Sequence, residues 1–220
     1  MLAPGFFGKV PGRGDFIGRR LPPSIHQPWE NWLAELAVAA REGLGEAWPE
    51  DWLTAPLWHF SLGAALVPPG GAVGVLVASV DRVGRYFPFS LLGASDGREG
   101  YDDTLAAWSR AAEGLILGAL DDDFDPDALD AALTALGAPP TAGGVAHRSG
   151  QWHLALDGDW PSAAVDQLDD RTRQRPGPDQ SAWWCRGSGR MPALHFRCAG
   201  LPGPHTTAAM VTGRFDFPED

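Results

Sequence analysis

The stretches Leu57-Trp-His-Phe-Ser-Leu62 and Ala72-Val-Gly-Val-Leu-Val-Ala-Ser79 are apolar at successive rather than alternate positions. Strands of that kind need cover on both faces of their sheet. Val67-Pro-Pro-Gly-Gly71 between them supplies turn-forming residues, so the two read as a hairpin-like pair. A third strand, residues 86–92, follows the turn Asp81-Arg-Val-Gly-Arg85. The centre of the protein is therefore expected to be a three-stranded antiparallel meander.

Helical periodicity flanks this meander. Ser24 reads as an N-cap, and Ile25, Trp29, Trp32, Leu33, Leu36, Val38 and Ala40 follow at helical spacing to about Arg41. Pro28 falls in the first turn, where proline is tolerated. Residues 47–55 read as a connecting turn or a short extra helix. Residues 102–120 carry Leu105, Trp108, Ala112, Leu115, Ile116 and Ala119 on one stripe. After the acidic turn Asp121-Asp-Asp-Phe-Asp-Pro126, a short helix over 127–136 has aspartates suited to the positive end of its dipole. Residues 5–10 form a first strand. Beyond a loop at 137–149 come an edge strand (151–156), a short helix (160–168) and a mobile charged loop (169–179). Strands at 181–186 and 193–198 and a helical turn or helix at 204–211 complete the chain. The fold class is α/β: a mixed, largely antiparallel central sheet with helices on both faces, a three-layer sandwich. One domain is expected over 1–220, with a motif-rich core at about 5–120 and a C-terminal elaboration at about 121–220.

Composition narrows the function. A formal charge of −11 argues against nucleic acid and anionic membrane surfaces as partners. No basic segment precedes an apolar run at the start, and no apolar run approaches the roughly 18 residues of a membrane span. A cytoplasmic protein with no direct membrane insertion is expected. Cys185 and Cys198 lie in paired strands where a bridge is geometrically possible; in the cytoplasm both should be reduced and buried.

The common catalytic and cofactor motifs fail on spacing. Gly8-Lys9 would need Gly at position 3, which is Ala3, and Ser or Thr after Lys9, where Val10 stands. Gly12-Arg-Gly14 is followed by Ile17 where a dinucleotide loop needs its third glycine. Ser188 sits in a Gly-Ser-Gly turn, not in a nucleophile elbow, and the six histidines are scattered. Cys185, His195 and Cys198 lack metal-ligand spacing, and the acidic run at 121–130 lacks the rhythm of a calcium loop. The expectation is no catalytic residue, no metal and no cofactor.

What remains is a pair of arginine-rich turns. Lys9-Val-Pro-Gly-Arg-Gly-Asp15 follows the first strand, with Arg19 and Arg20 close behind, and Asp81, Arg82 and Arg85 lie between two central strands. On one reading Asp15 and Asp81 pair with Arg82 and Arg85 and hold the turns together. On the other, the arginines form an exposed surface for a carboxylate- or phosphate-bearing partner. In Ser181-Ala-Trp-Trp-Cys185, alternation sends Trp183 and Trp184 to opposite faces, one into the core and the other nearer the surface as an interface candidate.

Gly5-Phe-Phe-Gly-Lys-Val-Pro-Gly-Arg-Gly-Asp-Phe16, Gln27-Pro-Trp-Glu-Asn-Trp32, Ser79-Val-Asp-Arg-Val-Gly-Arg-Tyr-Phe-Pro88 and Ser181-Ala-Trp-Trp184 together resemble the TagF family. Its members are accessory proteins encoded with bacterial type VI secretion systems. The resemblance runs from Gly5 to about Leu201 and is thinner through 121–170. It implies a non-enzymatic, cytoplasmic, post-translational repressor of secretion. In some species such proteins sequester a forkhead-associated scaffold that otherwise promotes firing. It also implies an α/β fold with helices flanking a sheet. The alternatives are an enzyme with an Arg-lined pocket for an anionic or phosphoester substrate, and a structural component of the apparatus.

Overall fold

A computed structural model describes residues 3–21, 23–95, 103–140, 153–156, 177–188 and 191–215. In chain order the strands are β1 (Gly5–Gly8), β2 (Ile17–Arg19), β3 (Trp58–Leu62), β4 (Ala72–Val77), β5 (Phe89–Ala94), β6 (His153–Leu156), β7 (Gln180–Cys185) and β8 (Ala193–Ala199). The helices are α1 (Pro23–Leu44), α2 (Trp48–Leu53), α3 (Asp103–Gly118), α4 (Pro126–Leu136) and α5 (Pro204–Thr212), with a single 3-10 turn at Gly45–Ala47 joining α1 to α2.

The strands make one eight-stranded sheet in the order β2-β1-β5-β4-β3-β7-β8-β6. The expected meander β3-β4-β5 is at its centre. β1 adds to β5 on one side and the β7-β8 hairpin adds to β3 on the other. Every pairing is antiparallel, so the sheet is not mixed. The reason lies in the connections. Parallel neighbours need a crossover, but α1 and α2 carry the chain from β2 to β3, and α3 and α4 precede β6, strands that are not neighbours. β6 lies at the edge, as its sequence suggested.

Two cores lie on opposite faces of the sheet. Alternation along β1 sends Phe7 to one and Phe6 to the other. On the first face α1, α2 and α5 cover an aromatic cluster in which Trp29, Trp32, Phe60 and Trp183 meet ring to ring at 4.9–5.1 Å. Buried indoles need an acceptor, and each has one: Trp29 donates to Ser90 Oγ, Trp32 to the Pro202 carbonyl and Trp183 to Ser181 Oγ. Trp52 and Trp58 donate to the Ser79 and Met210 carbonyls. On the second face Leu105, Trp108, Ala112 and Ile116 of α3, with Leu129 and Leu133 of α4, cover Val73, Val75, Phe89 and Leu91.

Several element ends differ from the sequence reading. α1 begins at Pro23, so Ser24 lies inside its first turn, and it runs through Gly43 to Leu44. A Cβ on Gly43 would come within 3.3 Å of Ala208 Cβ, so this glycine brings α1 close to α5 instead of ending the helix. The third central strand starts at Phe89, not Tyr86. Pro88 has no N–H for the ladder, and Tyr86 makes only an isolated bridge to Val80. The short strand β2 is one that no pattern in the sequence indicates. Residues 177–179, expected in a mobile loop, are tied down: the Pro178 carbonyl accepts from Ala65 N at 2.7 Å and that of Asp179 from Gly200 N at 2.7 Å. The expected helix at 160–168, the rest of that loop and most of the 137–149 loop lie outside the described residues. No helix among the described residues is long and apolar enough to cross a membrane.

Candidate functional site

Two turns dock against one another at the end of β1. The ladder between β1 and β5 brings Gly8 opposite Phe89, so the chain leaving β1 runs beside the chain entering β5. Residues 9–16 therefore meet residues 80–87. Their backbones join where Arg82 N donates to the Arg13 carbonyl at 2.9 Å.

Asp81 is the hub. It is 3 % exposed, and burial alone would raise its carboxyl pKa. The backbone N–H of Arg85 at 2.9 Å, Lys9 Nζ at 2.9 Å, Arg85 Nε at 2.6 Å and the backbone N–H of Val83 at 3.0 Å outweigh that cost. They hold the carboxyl well below the usual carboxylate range. Gly84 adopts φ +83°, a conformation that favours glycine, and lets the turn fold back over the carboxylate. Arg85 reaches onward to donate to the Gly14 carbonyl, binding the second turn to the first. Lys9, 5 % exposed, also lies 4.8 Å above the ring of Phe16, a ring that stacks on Phe7 and meets Phe87 edge-on.

The eight charged residues singled out in the sequence divide into three groups. Lys9, Asp81 and Arg85 form the internal brace. Arg13, Asp15 and Arg82 are exposed on its rim, and none of the three makes an ion pair among the described residues. Asp15 instead accepts from the Phe16 N–H at 2.8 Å. Arg19 and Arg20 belong to a different contact. Arg19 reaches Asp127 and Arg20 reaches Asp130, each at 2.5 Å, clamping the edge strand β2 to α4. The pairing reading thus holds for Asp81 with Arg85 but not for Asp15 or Arg82, and the partner of Asp81 that it left out is Lys9.

Trp183 and Trp184 do point to opposite faces, but neither is near the surface, at 0 % and 3 % exposed. Trp183 fills the aromatic core. Trp184 is stacked between His59 and His195 at 5.7 and 6.0 Å across β3, β7 and β8, which removes it as an interface residue. The thiols are buried and unbridged. Cys185 is opposite Leu194 and Cys198 opposite Ser181, four positions or about 13 Å apart along the hairpin. His195 lies on the other face of the sheet from both, so the three do not converge.

Sequence reading missed a second polar group. Glu113 Oε2 of α3 lies 3.3 Å from His59 Nε2 and 3.2 Å from Arg186 Nη2. Burial pushes His59 down, opposed in part by Glu113, and burial with the nearby Arg197 charge pushes His195 down to about 3. The two imidazoles flank the Trp184 indole as a three-ring stack across β3, β7 and β8. Its components are scattered through apolar runs, and only cross-strand register assembles them. Among the described residues no group of three or more histidine, cysteine or carboxylate side chains could hold a metal.

The brace can present guanidinium N–H groups outward, and it engages Arg85 internally. Its class is thus an α/β protein with a rigid, arginine-bearing corner on an antiparallel sheet. The chain belongs to the TagF N-terminal domain family, associated with type VI secretion systems, whose family model matches residues 5–136. Three of the four motifs fall within that span, whereas Ser181-Ala-Trp-Trp184 lies beyond it. The chain is also similar to a solved structure, PA0076 from Pseudomonas aeruginosa PAO1, at 31 % identity and a TM-score of 0.77 over 99 % of this chain and 97 % of that one. No curated protein matches it.

Proposed function

We propose that this chain is a cytoplasmic, non-enzymatic repressor of type VI secretion that acts after translation by binding a component of the machinery. The first candidate partner is a forkhead-associated scaffold. Family membership supports the association with secretion. The observation that carries the binding role is the pair Arg13 and Arg82, exposed on a braced corner of a chain whose net charge is −11. A rigid backbone holding exposed guanidinium groups suits recognition of carboxylate or phosphate on another protein. An enzyme using the same arginines would need a base converging beside them, and the carboxylate nearest Arg85, that of Asp81, is buried and held by Lys9 and Arg85. The repressor reading also takes the chain as one domain, with the two helical groups and the sheet as three layers.

Deleting the gene should raise contact-independent export of the tube protein, and overexpression should silence it. Unchanged export in both strains ends the repressor reading, and loss of export on deletion would identify a structural component instead. Purified Arg13→Glu and Arg82→Glu variants should melt like wild type and fail to capture the purified scaffold.

A further inference from the structure

A groove of about 470 Å³ lies beside the brace, between α1 and the turn after β4. Val38 and Arg41 of α1 form one wall, Arg85 and Tyr86 the other, and Trp48 of α2 lies at its base. Val38 is 57 % exposed, an apolar side chain left in water on the wall of a concavity. Trp48 and Tyr86 meet edge to face at 5.6 Å, which stiffens the base and one wall.

The charges of the groove are one-sided. Among the described residues its lining holds two arginines and no carboxylate, in a chain with 28 acidic residues against 17 basic ones. The nearest carboxylate of the brace, Asp81, is buried and already satisfied by Lys9 and Arg85. That contact also fixes the Arg85 guanidinium, whose side chain remains 53 % exposed. An oriented guanidinium loses less freedom on binding than a free one.

We infer that this groove docks an acidic segment of a partner protein, with a carboxylate set between Arg41 and Arg85 and an apolar side chain seated on Val38 and Trp48. The inference deepens the proposed binding role and rests on it. It adds Val38, Arg41 and Tyr86, residues that no sequence motif singled out for binding. Charge complementarity selects the occupant: an acidic chain surface with a cationic, partly apolar cleft repels a second acidic face everywhere else. Nucleic acid would need a longer basic track than two arginines.

The test measures fluorescence polarisation of a labelled peptide of aspartate and glutamate around a central Leu-Phe pair, titrated with the full chain. A matched peptide with lysine replacing the acids is the control. The acidic peptide should bind, more weakly as salt rises, and the lysine peptide should not. Arg41→Glu and Val38→Asp, both at exposed helical positions, should keep the wild-type melting temperature and weaken binding about tenfold or more. Equal binding of the two peptides, no binding by wild type, or unchanged binding by folded variants overturns the inference. If deletion leaves export unchanged while the peptide results hold, repression fails and the groove stands. If deletion derepresses export while both variants bind the peptide like wild type, the groove fails and repression stands.

Discussion

At the scale of single residues, Asp81 couples stability to pH. Its pKa is depressed in the folded state, so the stability it contributes is fully present above the unfolded value of about 3.9. That stability is lost as pH falls below this value towards the folded one. Asp81→Asn leaves the Lys9 ammonium buried without a counter-charge, at a cost of about 3 kcal/mol at pH 7. Urea denaturation at pH 7 and pH 3 should show the gap between wild type and variant narrowing at the lower pH. Adding Lys9→Met to Asp81→Asn should recover part of the loss, because removing both charges avoids the orphaned one. A gap that widens on acidification would contradict the linkage. This brace was half readable in the sequence: both turns and their glycines were visible, as was Asp81. That Lys9 would be the second partner was not, because the two residues are 72 positions apart and only the β1–β5 register joins them.

At the scale of elements, the meander was readable because unbroken apolar runs admit few other structures. The misreadings arose where one residue type served two purposes. Gly43, just past the end of the helical spacing at Arg41, is a close-packing site against Ala208, and Gly18 of β2 makes room for the Phe7 ring, whose Cδ2 would lie 2.9 Å from a Cβ at that position. One of Trp183 and Trp184 is expected nearer the surface, yet both are buried, because alternation gives direction without saying what covers each face. Gly74 in β4 is the clearest instance. A Cβ there would stand 2.1 Å from the Leu91 carbonyl oxygen and 2.4 Å from Phe60 Cζ, the ring of the residue paired opposite it. Gly74→Ala should therefore destabilise the chain by about 1–3 kcal/mol despite the better strand propensity of alanine. A thermal melt with an unchanged midpoint would show that both the Leu91 backbone and the Phe60 ring can give way.

At the scale of the whole molecule, one sheet carries both the family-matched part and the C-terminal hairpin. Trp183 of β7 touches Trp32 of α1 and Phe60 of β3, so the later strands complete a core begun by the first sixty residues. This contact predicts a single cooperative unfolding transition. Tryptophan fluorescence and far-ultraviolet circular dichroism should give coincident urea curves. Two separated transitions would show that the chain unfolds as more than one unit. The antiparallel character of every pairing could not be read from element order alone, because it depends on which strands become neighbours.

The β1–β5 register has a further consequence. A slip of one residue would exchange Phe6 and Phe7 between the two cores, and it would also carry Lys9 out of reach of Asp81. The arginine corner is therefore assembled by the same pairing that sorts the aromatic rings. It acts as a certificate of folding: a newly made or misthreaded chain has the same arginines in its sequence but cannot display them, so any protein that recognises the corner also inspects the fold behind it.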